Sequence, residues 1–154
     1  MIKNALWVLF ISMLPVIELR GAIPAAAALD MPWLESYIIS VIGNFLPAPI
    51  ILLFIRKILH LMKKVKHLER IAEWIENKAQ KKSADVLKYA SLGLFLFVAI
   101  PLPGTDAWTG ALIAALLNMR MKYALPSIFA GVLTAGFLVT GATYGFLGFL
   151  DFIL

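Results

Sequence analysis

Three charged residues, Glu18, Arg20 and Asp106, interrupt stretches of sequence that are otherwise apolar. A charged side chain at membrane depth costs about 3 kcal/mol on insertion scales, so such groups persist where they pair or face a water-filled cavity. Burial raises the pKa of a carboxyl group, and a nearby arginine lowers it. A carboxyl group balanced between these effects can take up and release protons near neutral pH, as a proton-coupled carrier requires. The alternative is a permanent ion pair between Arg20 and a carboxylate, which would fix two segments together.

Polar residues adjoin Asp106, and one more lies in the first half of the chain. Thr105 and Thr109 can satisfy backbone groups that a broken helix leaves free. A helix that begins at Asp106 has the positive end of its dipole there, which favours either a bound anion or capping by Asp106 itself. Trp108 can stack on a flat cation, with ordinary packing or an interfacial position as the alternative. Asn44 can line a polar path or bond to a neighbouring helix.

Proline and glycine residues divide the apolar sequence around these charges into short pieces. Proline removes a backbone donor and interrupts a helix, and each resulting piece is too short to cross about 30 Å of hydrocarbon. We therefore predict two re-entrant helical hairpins, although a single complete span over residues 5–29 is an open alternative. Irregular backbone at that depth is tolerated only inside protein or beside a watery cavity. The residues expected to break the helices are Pro15, Pro24, Pro101, Pro103 and Gly104.

The bulk composition and two long uncharged stretches indicate a membrane protein. Of the 154 residues, 62% are hydrophobic, against about 45–50% in a soluble domain. A fold of this size has too much surface to bury that excess. Ser36–Ile55 and Tyr123–Leu150 carry no charge, and each is long enough to cross a bilayer as a helix. The sequence predicts an all-α integral membrane protein.

Basic residues concentrate between the two uncharged stretches. Ten of the 14 Lys and Arg residues lie from Arg56 to Lys88, a distribution typical of a cytoplasmic loop. Nucleic-acid binding is therefore not predicted. Apolar residues recur at steps of three and four in this loop, which predicts an amphipathic helix on the inner leaflet, in contact with anionic lipid. A coiled-coil contact between subunits is the alternative.

The two halves of the chain resemble each other when the sequence is shifted by 88 residues. Because one span and a basic loop separate them, the second copy is expected to be inverted. Inverted repeats with broken helices place the binding site at their mutual interface. We predict repeat one over residues 1–55, the basic linker over 56–88 and repeat two over 89–154. The matched pairs are Pro15 and Pro103, Glu18 and Asp106, Met31 and Met119, and Gly43 and Gly131.

The sequence carries the motifs PVIELRGAIP at residues 15–24 and PLPGTDAWTG at residues 101–110. Together they resemble the putative small multi-drug export protein family of short prokaryotic membrane proteins. The resemblance covers nearly the whole chain and implies an efflux function without naming a substrate. The second motif also resembles, more distantly, the DedA/VTT superfamily, which is associated with re-entrant hairpins and lipid translocation. Members there tend to carry an arginine motif after the second hairpin, where this chain has only Arg120 and Lys122.

These observations predict a multi-pass transporter that couples export of a small molecule to protons. One alternative is a DedA-like flippase or scramblase for a lipid or polyprenyl phosphate, and another is a non-transporting membrane scaffold. An intramembrane aspartyl enzyme would need two carboxylates that share a water. Glu18 and Asp106 are not the usual aspartate pair, so no enzymatic activity is predicted.

The partners and the location follow from the same reasoning. One subunit has few helices with which to enclose a drug-sized substrate, so we predict a homodimer in the plasma (inner) membrane of a prokaryote, with the loop at 56–88 in the cytoplasm. The sequence has no cysteine and shows no metal-ligand spacing or cofactor motif. We therefore predict neither a metal nor a cofactor.

Overall fold

The computed structural model describes residues 2–63 and 84–153, and every regular element in them is a helix. The described residues form seven helices in chain order. They are α1 (Ile2–Met13), α2 (Glu18–Ala27), α3 (Trp33–Phe45), α4 (Pro47–Lys63), α5 (Ala84–Ala99), α6 (Ala107–Leu116) and α7 (Met121–Ile153).

Two helical stretches are long and apolar enough to cross a membrane. They are Trp33–Ile58, which joins α3 to α4, and Met121–Phe146 within α7, each of 26 residues. At 1.5 Å per residue each extends about 39 Å, more than the hydrocarbon thickness of about 30 Å. Leu46 separates α3 from α4, and Pro47 then occupies the first position of α4, where proline is well tolerated. The predicted span Ser36–Ile55 falls within the first stretch, and the predicted span Tyr123–Leu150 falls within α7 but continues past Phe146.

The remaining apolar helices are short and pack in pairs. Helix α1 packs against α2 and α3, and α5 packs against α6 and α7. With 12 residues in α1 and 10 in each of α2 and α6, none of the three exceeds about 18 Å. Each pair is a helix–turn–helix unit that lies against one of the long helices.

The turn that follows each pair is the same in both halves. Asp30 (φ 54°) and Asn118 (φ 51°), 88 residues apart, both adopt the left-handed conformation, which Asn and Asp tolerate better than most residues. The next residue is a buried methionine in each case, and its backbone N–H donates five residues back, to Ala26 and to Ala114 respectively. The two turns therefore share a backbone conformation and a hydrogen bond at positions 88 residues apart.

A glycine brings each helix pair close to its long helix. A Cβ built on Gly43 would lie 2.6 Å from the carbonyl oxygen of Leu9 in α1. A Cβ built on Gly131 would lie 2.6 Å from the Cβ of Val98 and 3.0 Å from the carbonyl oxygen of Phe95 in α5. Both contacts are too close for any side chain, which explains the matched glycines in the sequence.

Alanines occupy many buried positions of the short helices, and many large apolar side chains face outward. Ala22 and Ala26 of α2 and several alanines of α6 are fully buried, which allows these short helices to pack closely. Large apolar side chains remain exposed along the helices, for example Phe137 and Tyr89, each 72% exposed. An apolar outer surface of this kind suits a protein surrounded by lipid.

Two predicted boundaries need correction. Pro24 does not break the first segment, since it lies inside α2, which continues to Ala27. The cost is a single hydrogen bond, because proline cannot donate to the carbonyl oxygen of Arg20. The predicted linker 56–88 begins within α4 and ends within α5. Its central part, residues 64–83, lies outside the described residues, as does most of the predicted amphipathic helix.

Candidate functional site

A cleft of about 420 Å³ opens where the turn between α1 and α2 meets the loop between α5 and α6. The two helix pairs belong to different halves of the chain, so the cleft lies at the junction of the halves. Most of the residues predicted to carry chemistry line it. The lining residues are Pro15, Val16, Ile17, Glu18, Arg20, Pro103, Gly104, Asp106, Trp108 and Thr109.

Glu18 is the first residue of α2 and is held in an unusual backbone conformation. Its φ is 55°, which only glycine adopts without strain. Its side chain is buried, and its Oε2 lies 3.5 Å from Nη1 of Arg20. Strained residues of this type cluster at functional sites, where the surrounding structure holds them in place.

Asp106 uses one carboxyl oxygen for structure and leaves the other unpaired. Its Oδ1 accepts a hydrogen bond from the backbone N–H of Thr109 at 2.9 Å and so caps α6, which was one of the two uses predicted from the sequence. Its Oδ2 is buried and has no hydrogen-bond partner within residues 2–63 and 84–153. A buried acceptor without a partner typically costs about 1–3 kcal/mol.

The carboxyl groups of Glu18 and Asp106 face each other across the junction of the halves. They are close enough to interact directly, and Arg20 is the cation nearest to Glu18. The structure therefore brings together the three charged residues that the sequence singled out, although they are separated by up to 88 positions. Glu18 and Asp106 are 6% and 3% exposed, so bulk water does not screen the pair fully.

Arg20 links the two halves through Thr105. Its Nη2 donates to Oγ1 of Thr105 at 3.0 Å. The Thr105 hydroxyl in turn contacts the carbonyl oxygens of Ile100 (2.6 Å) and Leu102 (2.8 Å). Thr105 thus satisfies backbone groups of the loop between α5 and α6 and presents that loop to Arg20.

Trp108 provides a second link between the halves. Its indole Nε1 donates to the carbonyl oxygen of Met13 at 2.9 Å. Met13 is the last residue of α1, and carbonyl groups at a helix end have no partner within the helix. Trp108 therefore acts as a cap for α1, and its ring also lines the cleft.

The other helix-breaking residues shape the two turns. Pro15 lies in the turn before α2 and lines the cleft, and Pro103 and Gly104 do the same from the second loop. Gly104 has a φ of 82°, a conformation open to glycine at little cost. Pro101 follows the end of α5 and does not line the cleft.

Two of the predicted binding residues, Asn44 and Thr105, do not line the cleft. Thr105 bonds to Arg20 beside it. Asn44 is buried on α3, and its Oδ1 has no hydrogen-bond partner in the described part of the chain. Sequence reasoning missed Ser36 and Ser40, which share these properties. The spacing of four residues between the three polar side chains was the available signal, since it places them on one helix face.

No cluster of three or more potential metal ligands occurs among residues 2–63 and 84–153. The cleft offers two carboxyl groups, one guanidinium group and backbone atoms at two turns. This set can bind a proton, a small cation or, through Arg20, an anionic group.

Comparison with known proteins supports a membrane family. No curated protein and no solved structure matches the chain. The family model described as putative small multi-drug export protein matches residues 18–138. The match covers more than three quarters of the chain and includes Glu18, Arg20 and Asp106. The chain therefore belongs to the putative small multi-drug export protein family.

Proposed function

We propose that the protein is a multi-pass membrane carrier that exports a small molecule in exchange for protons. The carboxyl pair of Glu18 and Asp106 is the shared binding site. The observation that supports this most directly is the buried Oδ2 of Asp106, which has no hydrogen-bond partner among the described residues although Asp106 and Glu18 line the same open cleft. A proton held between the two carboxyl groups would supply the missing hydrogen bond.

Charge counting explains how the site would exchange protons for substrate. With both carboxyl groups ionised, two negative charges face the single positive charge of Arg20. The net negative charge attracts a cation into the cleft, where low polarity strengthens the attraction. When the pair takes up protons, the charge is removed and the cation is released. A small organic cation is therefore the favoured class of substrate.

The proposed topology consists of two inverted repeats, each with a re-entrant hairpin and a membrane-spanning helix. The turns and glycines that recur at a distance of 88 residues support the repeat. The shortness of α1, α2 and α6 supports re-entrance, because such helices cannot span the hydrocarbon. The cleft then lies at the repeat interface, as in other carriers of this design. The basic end of α4 faces the cytoplasm of a prokaryotic cell.

We also propose that the carrier is a homodimer. Nothing in the described residues lies within 4 Å of the positions that Cβ atoms would occupy on Gly141 and Gly145. Both glycines line an apolar groove of about 330 Å³ between α3 and α7. Small residues at this spacing permit close approach of a second membrane helix.

The experiment uses purified protein in liposomes with an imposed pH gradient. The probes are ethidium and tetraphenylphosphonium, whose movement is followed by fluorescence and by a selective electrode. We expect proton-driven uptake of at least one probe, reduced about 100-fold or more in Glu18→Gln and Asp106→Asn. Asp106→Asn is informative because asparagine also caps helices well. The matched control is Asp30→Asn, which changes an exposed carboxyl group in the turn after α2 and keeps a residue type that tolerates the left-handed backbone there.

Two outcomes contradict the carrier proposal. One is flux at the unmodified rate in both carboxyl variants. The other is the absence of proton release when the cation probes are added to unbuffered detergent solutions of the folded protein. The second measurement does not depend on reconstitution.

A lipid-phosphate flippase is the second candidate. Arg20 lines the cleft with its side chain 20% exposed, and Val16 at the same cleft is 89% exposed. A guanidinium group beside an open apolar edge can receive a phosphate headgroup while the acyl chains remain in lipid. In the same liposomes, accelerated movement of fluorescent phospholipid or polyprenyl phosphate that is lost in Arg20→Ala would favour this function over cation export.

A further inference from the structure

Helix α3 carries three buried polar atoms that lack partners. They are Oγ of Ser36, Oγ of Ser40 and Oδ1 of Asn44, and none has a hydrogen-bond partner within residues 2–63 and 84–153. The three residues are 0%, 0% and 1% exposed. They follow one another at intervals of four and so form one face of the helix.

Other hydroxyl groups on the helices of this structure donate hydrogen bonds to their own helix backbone. Ser12, Ser127 and Thr134 each donate to a backbone carbonyl three or four residues earlier, at 2.8–2.9 Å. Ser36 and Ser40 are on a helix too, yet their hydroxyl groups make no such bond. Each unpaired buried group typically costs about 1–3 kcal/mol, so these groups need a partner outside the described residues.

The second half of the chain shows that the fold does not require polar side chains here. The positions 88 residues later are Ala124, Ile128 and Val132, and all three are 0% exposed. The same face of the corresponding helix is therefore packed with apolar side chains. The polar residues of α3 are a departure from a pattern that is sufficient for folding.

We propose that this face of α3 binds a file of water molecules that conducts protons to the pair Glu18 and Asp106. Side chains four residues apart on a helix are separated by about 5–6 Å. Two hydrogen bonds of about 2.8 Å through one water span that distance. Each water would then have at least two polar protein partners, as buried waters normally do.

The file has an entrance and an end that suit this task. Ser36 adjoins the exposed residue Glu35 at the start of α3. Asn44 lies about 12 Å beyond Ser36 along α3, at 1.5 Å per residue. The turn between α2 and α3 ends at Trp33, about 16 Å from Asn44, and begins after Ala27, about 14 Å from Glu18. Because α2 and α3 pack against each other, these similar lengths support a file that ends near Glu18.

The difference between the two halves sets the direction of the proton path. Only the first half carries the polar face, so protons reach the carboxyl pair from the end of α3 that is remote from the basic residues of α4. The role in proton supply rests on the proposed carrier function, whereas the presence of water on α3 does not. The two statements are therefore tested separately.

The test of water access uses single cysteines, which are unique because the chain contains no cysteine. We compare Ser40→Cys with Ala124→Cys, and Asn44→Cys with Val132→Cys, in the folded protein. The probe is Ag⁺, and modification is measured as lost reaction with a maleimide dye after denaturation. We expect the cysteines on α3 to react about tenfold faster or more, since an apolar site stays dry. Equal, slow reaction in both halves would overturn the proposal.

The role of the water file in proton supply is tested by flux. The variants Ser36→Ala, Ser40→Ala and Asn44→Val are combined, and the controls are Ser127→Ala and Thr134→Val, whose hydroxyl groups bond to their own helix. We expect proton-driven flux to fall about tenfold in the combined variant and to persist in both controls. Fast Ag⁺ reaction on α3 with unchanged flux in the combined variant would overturn the proton-conducting role. Unchanged flux in Glu18→Gln would instead count against the carrier function itself.

Discussion

The two halves of the chain match where the fold needs them to match and differ around the cleft. Each half places a glycine against its short helix pair and a left-handed residue before a buried methionine, 88 positions apart. At the cleft the halves diverge. Asp106 caps α6 from an extended backbone, whereas Glu18 begins α2 in a strained conformation, and the helix has no side-chain cap at Ile17.

This difference separates the residues that the backbone requires from those that it does not. A residue type that both halves keep at the same register serves the shared backbone, because both copies must solve the same packing problem. A residue type found in one half only is not required by that backbone. Glu18 and the polar face of α3 fall in the second class, as does the cap made by Asp106. Changing matched positions in pairs tests whether each feature serves the shared backbone.

The largest expected effect comes from filling the matched glycines. Gly43→Ala and Gly131→Ala each place a Cβ 2.6 Å from an atom of the neighbouring helix, and overpacking of this kind costs about 1–3 kcal/mol or more. Gly43→Ala should be the worse, because its Cβ would lie 2.6 Å from the backbone carbonyl oxygen of Leu9, whereas the nearest backbone atom to a Cβ on Gly131 is 3.0 Å away. The loss of stability in the two variants is measured by thermal unfolding in detergent, with size-exclusion chromatography as the readout of the folded fraction.

The control for this pair is Gly93→Ala in α5, since no described atom lies within 4 Å of that Cβ. Alanine there should stabilise α5 by about 0.5–1 kcal/mol through helix propensity. If Gly131→Ala is tolerated while Gly43→Ala is not, the close approach is a property of the first half alone and the structural match fails.

The second prediction concerns the two links between the halves. Arg20→Ala removes a hydrogen bond to Thr105 and the ion pair with Glu18, and hydrogen bonds to charged groups are worth about 1.5–3 kcal/mol. Trp108→Phe removes one neutral bond to Met13, worth about 1 kcal/mol. Urea denaturation in detergent should therefore rank Arg20→Ala as the more destabilising change.

The exposed tryptophan Trp33, 57% exposed in α3, supplies the matched control as Trp33→Phe, which should leave stability unchanged. An Arg20→Ala protein that is as stable as Trp108→Phe would show that the ion pair contributes nothing net. Arg20 would then bind the halves together no more strongly than Trp108 does.

The sequence was sufficient to predict the charged centre and the two spans. A charged side chain in apolar sequence is stable only beside a partner or water. We therefore expect Glu18, Arg20 and Asp106 to meet or to reach water. The uncharged lengths predicted the spans Ser36–Ile55 and Tyr123–Leu150 because hydrocarbon thickness is fixed. These predictions use burial costs of several kcal/mol, which dominate local preferences.

Finer features of the structure could not be predicted from the sequence. The partner of Trp108 is a backbone carbonyl, which carries no side-chain signal. Pro24 was expected to break a helix, but the loss of one hydrogen bond is outweighed by the packing of α2 between its neighbours. The division of the Asp106 carboxyl group between a cap and a free oxygen depends on geometry of a few tenths of an ångström. Tertiary contacts decide such cases.

The third prediction tests the strain at Glu18. Glu18→Gly and Glu18→Ala both remove the carboxyl group, so proton-driven flux should be lost in each. Glycine accepts the left-handed backbone at Glu18, so Glu18→Gly should be more stable than Glu18→Ala by about 1 kcal/mol. The comparison with Asp106→Asn is informative, because that variant keeps its cap and should keep its stability. Equal melting temperatures for the two Glu18 variants would argue against strain.

The smallest expected effect tests the shared turn. Asp30→Gly and Asn118→Gly should each change stability by no more than about 0.5 kcal/mol, because Asp and Asn already tolerate the left-handed conformation that both positions adopt. The matched controls are Leu29→Gly and Leu117→Gly, which lie one residue earlier in each half and should lower stability by about 1 kcal/mol. Since the two turns share two backbone hydrogen bonds at matching positions, the responses should agree between the halves. If stability rises in the variant at one turn and falls in the variant at the other, the two turns are stabilised by different interactions despite their similar backbone.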